Sequence, residues 1–484
     1  MRKLILLACF GLLTTGCLEA QEKWNLQQCV EYALKNNISV RQTDLQARFS
    51  SLNLTQSRAA RLPTFNFNSS AGNSFGLSDN PTTGILENNS FFNVGAQLQS
   101  QVTLFNWFSR KNQIAADELA YQADQEQTRK VQNDVALNVA VAYLQVLLAR
   151  EQITLSSIIL QQTTSQLEST RKQVEAGKLP ELNAAQLEAQ AATDSSNLIT
   201  SQASAQQFML QLKALLNLDA GSPFDIETPP VDAIPVESIA DLLPENVYAS
   251  AVKNLPQQKV NELRILSAQK DVLVARAGMY PTISAFGGLG TNYVHFKRRA
   301  LYNQVIAGYQ DTPLRADAGG GTFYTIQQPT FSNGTTVVGY VRSDKFGTQF
   351  RENFGQNIGI GLSIPILNGR QARTQWERSK LSVTNLELTK EQGDMQLKQD
   401  IYKAYVDATA ALQKFNANQK GAATAQRAYD YAQKRYDVGL LSTYELLNSQ
   451  TALQTARTNL LYAQYDYVFK IKLLEFYKGQ GLKL

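Results

Sequence analysis

Residues 434–450, KRYDVGLLSTYELLNSQ, carry a pattern already present at 171–190, RKQVEAGKLPELNAAQLEAQ. At an offset of 262 residues Gly177 falls on Gly439, Leu179 on Leu441 and Val174 on Tyr436. A turn that occurs twice in one chain, between long stretches poor in glycine and proline, points to an internal duplication. Upstream the offset is 218: residues 32–65 run without a gap along 250–283, placing Ala33 on Ala251, Lys35 on Lys253, Asn36 on Asn254 and Pro63-Thr64 on Pro281-Thr282. VTLFN (102–106) then meets IPILN (364–368) at 262, so the second half holds 44 extra residues between Pro281 and Ile364. Their Gly, Asn, Thr and Tyr content, as in DAGGGTFYT (317–325), predicts a long loop over 294–350.

Each half resolves into the same elements. No Gly or Pro interrupts Asn25–Arg61 and Pro63 stops it, which predicts a helix over 25–61, with its counterpart over 246–279. The periodicity then switches to two. TFNFNSS (64–70) alternates Phe with Asn, FNVGAQLQSQVTLF (92–105) separates Val94, Ala96 and Leu98 from Asn93, Gln97 and Gln99, and GQNIGIGLSIPI (355–366) alternates Ile and Leu with Gly, Asn and Ser. This predicts strands with one apolar and one polar face over 64–75, 91–106, 281–293 and 354–367. After them come 70 residues without Gly or Pro from Trp107 to Ala176, and 68 without Pro from Gln371 to Val438. As helices over 107–176 and 370–438 these would each be about 100 Å long. The tips lie at 174–182 and 436–444, and shorter helices return over 180–217 and 443–477. The first repeat is thus 21–217, a linker covers 218–244, and the second repeat is 245–478 with a tail at 479–484.

Four alternating strands cannot close into a transmembrane barrel, which needs eight or more with no free edge. Three copies of the chain supply twelve. The expected fold is mainly α with membrane β, a small closed barrel of twelve strands, four per chain, mounted on long helical rods. A soluble coiled-coil scaffold would explain the rods equally well, but its solvent-facing strand positions would carry Lys and Glu rather than Asn, Gln, Ser and Gly.

Composition narrows the function. The start, MRKLILLACFGLLTTGCLEAQ, reads as a secretory signal over 1–20, with Arg2 and Lys3 before an apolar run too short to span a bilayer. Cleavage after Ala20 removes Cys17; cleavage within TTGC would make Cys17 a lipidated N-terminus. Beyond that segment no transmembrane helix is expected. Cys29 is then the only mature cysteine and is read as a small residue on a helix face. The net charge of +5 is small for 484 residues and no Lys/Arg cluster marks a nucleic-acid face. His295 is the single histidine and sits in the insert, so a multi-histidine metal site cannot form and a Ser/His/Asp triad is not expected. AGGGT (318–322) lacks the lysine of a phosphate loop. Neither enzyme activity nor a cofactor is expected.

Taken together, the signal, the paired halves, LFN and ILNGR at the strand-to-helix junctions and RYDVGLLSTYELLNSQ at the turn resemble the TolC family of outer-membrane efflux proteins, over essentially all of residues 22–478. The resemblance implies a homotrimer, a trimeric 12-stranded β-barrel in outer-membrane lipid continued by a long α-helical barrel through the periplasm, which is the exit duct of a tripartite efflux or type I secretion system. Its partners would be a periplasmic adaptor (membrane-fusion) protein and an inner-membrane pump of RND or ABC type. The cargo would be drugs or other small molecules, with protein secretion as the alternative.

Each repeated turn is then a periplasmic tip. Gly177 and Gly439 suit the positive-φ position that ends a helix, and Leu179, Leu440 and Leu441 would be left exposed. The resemblance makes AGKLP and VGLLS, with Lys178 and Ser442, the adaptor-docking surface; leucines that only staple the turn would give the same sequence. It also places pore-narrowing acidic rings on the helix after the second tip, at Glu445 and, where this chain has lost the acid, Asn448. Three carboxylates about a three-fold axis would favour cations and raise one another's pKa. Of the family's closing lock Tyr436 is present, while Leu441 replaces the Arg and Asn183 the Asp. Gln186 completes the expected gate, and closure is expected to rest on apolar packing and amide hydrogen bonds.

Overall fold

The computed structural model describes residues 23–79, 86–230, 234, 237–296, 299–317, 319–320 and 322–479, so the signal segment and Cys17 lie outside the described residues. In chain order the elements are helices α1 (Leu26–Asn36) and α2 (Ile38–Ala59), strands β1 (Thr64–Asp79) and β2 (Leu86–Phe105), helices α3 (Ser109–Glu175), α4 (Glu181–Leu216), α5 (Pro244–Asn254) and α6 (Pro256–Ala277), strands β3 (Thr282–Phe296), β4 (Arg299–Asp317) and β5 (Phe323–Val341), helix α7 (Phe346–Glu352), strand β6 (Gly355–Ser363), and helices α8 (Gln371–Asp437) and α9 (Thr443–Tyr477). They form two compact units, one helical and one built on the strands between Ser57–Lys111 and Val274–Thr374.

In the helical unit the duplication is written into the packing. Cys29, Ala33, Val139, Ala142, Val146 and Leu212 help to build one core. Val247, Ala251, Ile401, Ala404, Ala408 and Leu474, at the repeat-related positions, build a second. Cys29 is fully buried, and burial pushes its thiol up to about 12, so it is a packing residue and not a reactive one. Among the described residues α3 holds a window apolar enough by composition to cross a membrane, of which 44% is buried within the protein.

Two expected helices are each broken in two. The helix expected over 25–61 breaks at Asn37, where ψ is 132°, and that over 246–279 breaks at the repeat-related Leu255, where ψ is 127°. In the second half the cause is Pro256, which drives the preceding residue out of the helical region. In the first half Asn37 does the same with its side chain. Its Nδ2 donates to the Leu215 carbonyl at 2.9 Å and its Oδ1 accepts the Ser39 N–H at 2.9 Å, so one carboxamide both closes α1 against α4 and caps α2.

The segment between the repeats straps the helices. Ile226 pairs with Trp24, the Tyr143 hydroxyl donates to the Glu227 carbonyl at 2.7 Å, and Arg150 donates to the Ile226 carbonyl at 3.0 Å while ion-pairing with Asp225. Burial pushes the Asp225 carboxyl up. The hydrogen bonds from Arg150 and the Ile226 N–H, with the Arg150 and Lys23 charges, outweigh it and leave the group below the usual carboxylate range.

In the strand unit β1, β2, β3 and β6 form one antiparallel sheet in that order, so β1 and β6 are edges with no partner strand among the described residues. Pairing fixes the faces. Phe67, Leu98 and Leu289 lie side by side across three strands, as do Val94 with Tyr293 and Ile283 with Leu362. The other face sets Asn66 beside Gln99 and Gly288, and Asn68 beside Gln97 and Gly290. Phe286 interrupts that polar face, and its ring covers Gly359, where a Cβ would come within 2.6 Å of it.

Of the described residues of 294–350, expected as loop, most lie in strands or a helix. β4 and β5 pair as a separate two-stranded ribbon and α7 comes after them. The β-branched and aromatic residues of QVIAGY and FYTI outweigh the glycines that suggested a loop. The strand expected over 354–367 stops at Ser363. Pro365 has no N–H to give a ladder, and Ile366 and Leu367 are 93% exposed. Where β6 ends its pairing at Gly290, the side chain of Gln349 takes over the β3 edge, accepting the Val294 N–H at 3.0 Å and donating to the Val294 carbonyl at 3.0 Å.

Candidate functional site

The two turns are the same backbone device. After α3 the Gly177 N–H donates to the Val174 carbonyl and the Lys178 N–H to that of Gln173, each at 2.9 Å; after α8 Gly439 donates to Tyr436 at 2.9 Å and Leu440 to Arg435 at 2.8 Å. Gly177 (φ 68°) and Gly439 (φ 74°) supply the left-handed residue this double closure requires.

Beyond the glycines the tips differ. α4 begins at Pro180 with no side-chain cap. α9 begins at Ser442, whose Oγ accepts the Glu445 N–H at 3.2 Å while Glu445 Oε2 accepts the Ser442 N–H at 3.1 Å and hydroxyl at 2.8 Å. This capping box fixes the entry angle of α9. The Glu445 carboxyl is exposed and held below the usual carboxylate range, first by the Ser442 hydroxyl, then by its N–H, with a further contribution from the Arg435 charge. Within one chain the sign is therefore opposite to the rise expected from a ring of three acids, because the nearest groups are donors and a cation.

Exposure also separates the tips. Val438, Leu440 and Tyr444 are 68%, 69% and 62% exposed at the second tip, whereas Leu182 at 65% is the large exposed side chain of the first. Leu179 and Leu441, expected in solvent, are half-buried; Lys178 and Ser442 are exposed. Asn448 is exposed and Asn183 and Gln186 are half-buried.

Tyr436 is buried, and its hydroxyl lies 3.1 Å from Thr170 Oγ1 on α3 and accepts from Thr443 Oγ1 at 3.3 Å. The tyrosine thus joins the second hairpin to the first through Thr170, not through Asn183, while Thr443 of its own hairpin donates to the same hydroxyl. Neither threonine stood out in the sequence. The signal that finds them is spacing, since Thr170 and Thr443 each lie seven residues from another buried polar side chain, Thr163 and Gln450. Among the described residues no cluster of His, Cys, Asp or Glu is arranged to hold a metal ion.

A family model described as outer membrane efflux protein matches residues 29–218 and 247–475. The outer membrane efflux protein BepC of Brucella suis biovar 1 (strain 1330) is 25% identical over 438 residues, covering 90% of this chain and 81% of that protein. The outer membrane protein TolC of Escherichia coli (strain K12) is 22% identical over 480 residues, covering 97% and 84%. Among solved structures CusC, described in connection with transmembrane channel formation, matches with a TM-score of 0.74 at 19% identity, covering 94% of this chain and 92% of that one, which is a likeness of fold.

Proposed function

The chain belongs to the outer membrane efflux protein family, and from that premise we propose that three copies close their sheets edge to edge into one barrel that serves as the passive exit duct of an efflux assembly. The observation that carries this reading is the sheet itself. It has four strands, two unpaired edges at β1 and β6, an apolar face of Phe, Val, Leu and Ile, and an opposite face of Asn, Gln, Ser and Gly. Unpaired backbone groups are not tolerated in hydrocarbon, so each edge needs a strand from another copy. The apolar face then meets outer-membrane lipid and the amide-rich face lines water.

In this reading the tips are the docking end. The exposed Val438, Leu440 and Tyr444 offer apolar surface to a periplasmic adaptor, which links the duct to an inner-membrane pump of RND or ABC type. Glu445 and Asn448, both exposed on the first turns of α9, are assigned to the pore lining, and Tyr436 to the closure. Small molecules are the assigned cargo, since the BepC relative is named for efflux; the chain does no chemistry on them.

Native mass spectrometry of the protein extracted with mild detergent from purified outer membranes tests the assembly. A mass of three chains is expected. A monomer or dimer recovered from a soluble fraction would leave β1 and β6 unpaired and overturn the duct.

A further inference from the structure

Below the tips, the seam joining the two hairpins carries buried polar residues at seven-residue intervals: Ser156, Thr163 and Thr170 on α3, Asp194 and Ser201 on α4, and Thr443 and Gln450 on α9, all at most 9% exposed. Apolar layers alternate with them, with Leu446 and Leu453 on α9, Leu187 on α4, and Ile159 and Leu167 on α3. The polar groups meet one another. Gln450 Nε2 donates to Thr163 Oγ1 at 2.9 Å, Thr163 Oγ1 donates to Asp194 Oδ2 at 2.7 Å, and Gln190 Nε2 donates to Asp194 Oδ1 at 2.9 Å. One heptad nearer the tip lies the Thr170–Tyr436–Thr443 cluster, and one heptad farther from it Ser156 Oγ and Ser201 Oγ are 3.2 Å apart.

Leucine in place of these residues would pack well and cost no desolvation. A buried acid whose partners are neutral donors contributes little net stability. What such a layer supplies is register, because a slip of α9 along α3 by half a heptad would set Gln450 against the apolar layer of Ile159 or Leu167 and bury its amide without a partner, at about 1–3 kcal/mol. Thr163 is the centre of the layer, accepting from the second hairpin and donating into the first with the same hydroxyl.

We propose that the Gln450–Thr163–Asp194 layer is a stop. It confines any separation of the second hairpin from the first to the segment between Tyr436 and Gln450, and keeps α9 beyond Gln450 fixed to the first hairpin when the tip moves. The proposal concerns the moving part of the exit duct and rests on that reading only for its consequence in conduction, since the layer lies within one chain.

Amide exchange along α9 in the full-length, detergent-solubilised protein tests it. Wild-type protection should rise between Leu447 and Thr451. In Thr163→Val, which keeps the shape and removes the hydroxyl, amides of residues 448–453 should exchange about tenfold faster, the equivalent of one lost buried hydrogen bond, and Thr163→Ser should restore protection. An exchange boundary that stays at Gln450 in Thr163→Val overturns the stop. If Thr163→Val does not fold, Gln450→Leu, which removes only the link from α9, gives the same two outcomes. Conductance of the same samples in bilayers separates the readings: a moved boundary in a protein that conducts nothing would keep the stop and sink the duct.

Discussion

The two tips share a backbone and divide the work. Both end the preceding helix with the same pair of hydrogen bonds around a left-handed glycine, and that part is set by Gly177 and Gly439. Past the glycine they diverge. The first tip starts its next helix on a proline and keeps little apolar surface, whereas the second starts on a reciprocal serine–glutamate cap and exposes Val438, Leu440 and Tyr444. Duplication thus preserved the turn and left the second copy with the apolar surface and the capped carboxylate on which the proposed docking and gating rest. The packing beneath shows the same division. Leu446 is fully buried on α9, while its repeat-related residue on α4 is Ala184. Leu446→Ala makes the second tip resemble the first and should cost the second hairpin about 2–5 kcal/mol. Limited proteolysis of the assembled protein should then show faster cleavage at 437–443; unchanged cleavage would mean that the seam does not hold the tip.

The same contrast explains how much of the molecule was legible in the sequence. The repeat was legible because both halves keep the same residue where packing or backbone demands it, Ala33 and Ala251 in the two cores and Gly177 and Gly439 at the two turns. The tips were legible because a left-handed position selects glycine. The polar layers were not, because Thr163 or Ser156 on a long helix looks like any solvated residue until a partner helix covers it. The break at Asn37 was hidden for a related reason: only the Leu215 carbonyl on α4, 178 residues away, turns that asparagine into a helix stop. In the insert, local glycine content misled, because strand pairing over 19 residues decides the outcome and β-branched and aromatic positions dominate it.

Charge and cap can be separated at Glu445. Glutamine also completes a capping box, so Glu445→Gln should keep the entry of α9 while removing a negative group from the proposed lining. Bilayer recordings with a salt gradient should show weaker cation preference. An unchanged reversal potential would remove Glu445 from the pore and leave it only its structural role.

The smallest expected difference concerns pH. Because Glu445 has a folded-state pKa below its ordinary value of about 4.3, the cap contributes its stability above that value, and the contribution is lost as pH falls through the folded pKa. The uncapped first tip has no equivalent serine–glutamate pair. Amide exchange at 443–446, compared with 181–184 and corrected for intrinsic rates, should therefore rise selectively at the second tip as pH is lowered from 6 towards 3. Ser442→Ala removes the donor hydroxyl that lowers the Glu445 carboxyl most, so it should raise exchange at neutral pH and flatten the acid response together. A variant that loosens the tip yet keeps the full acid response would assign the titration to another group and break the link between the cap and the charge.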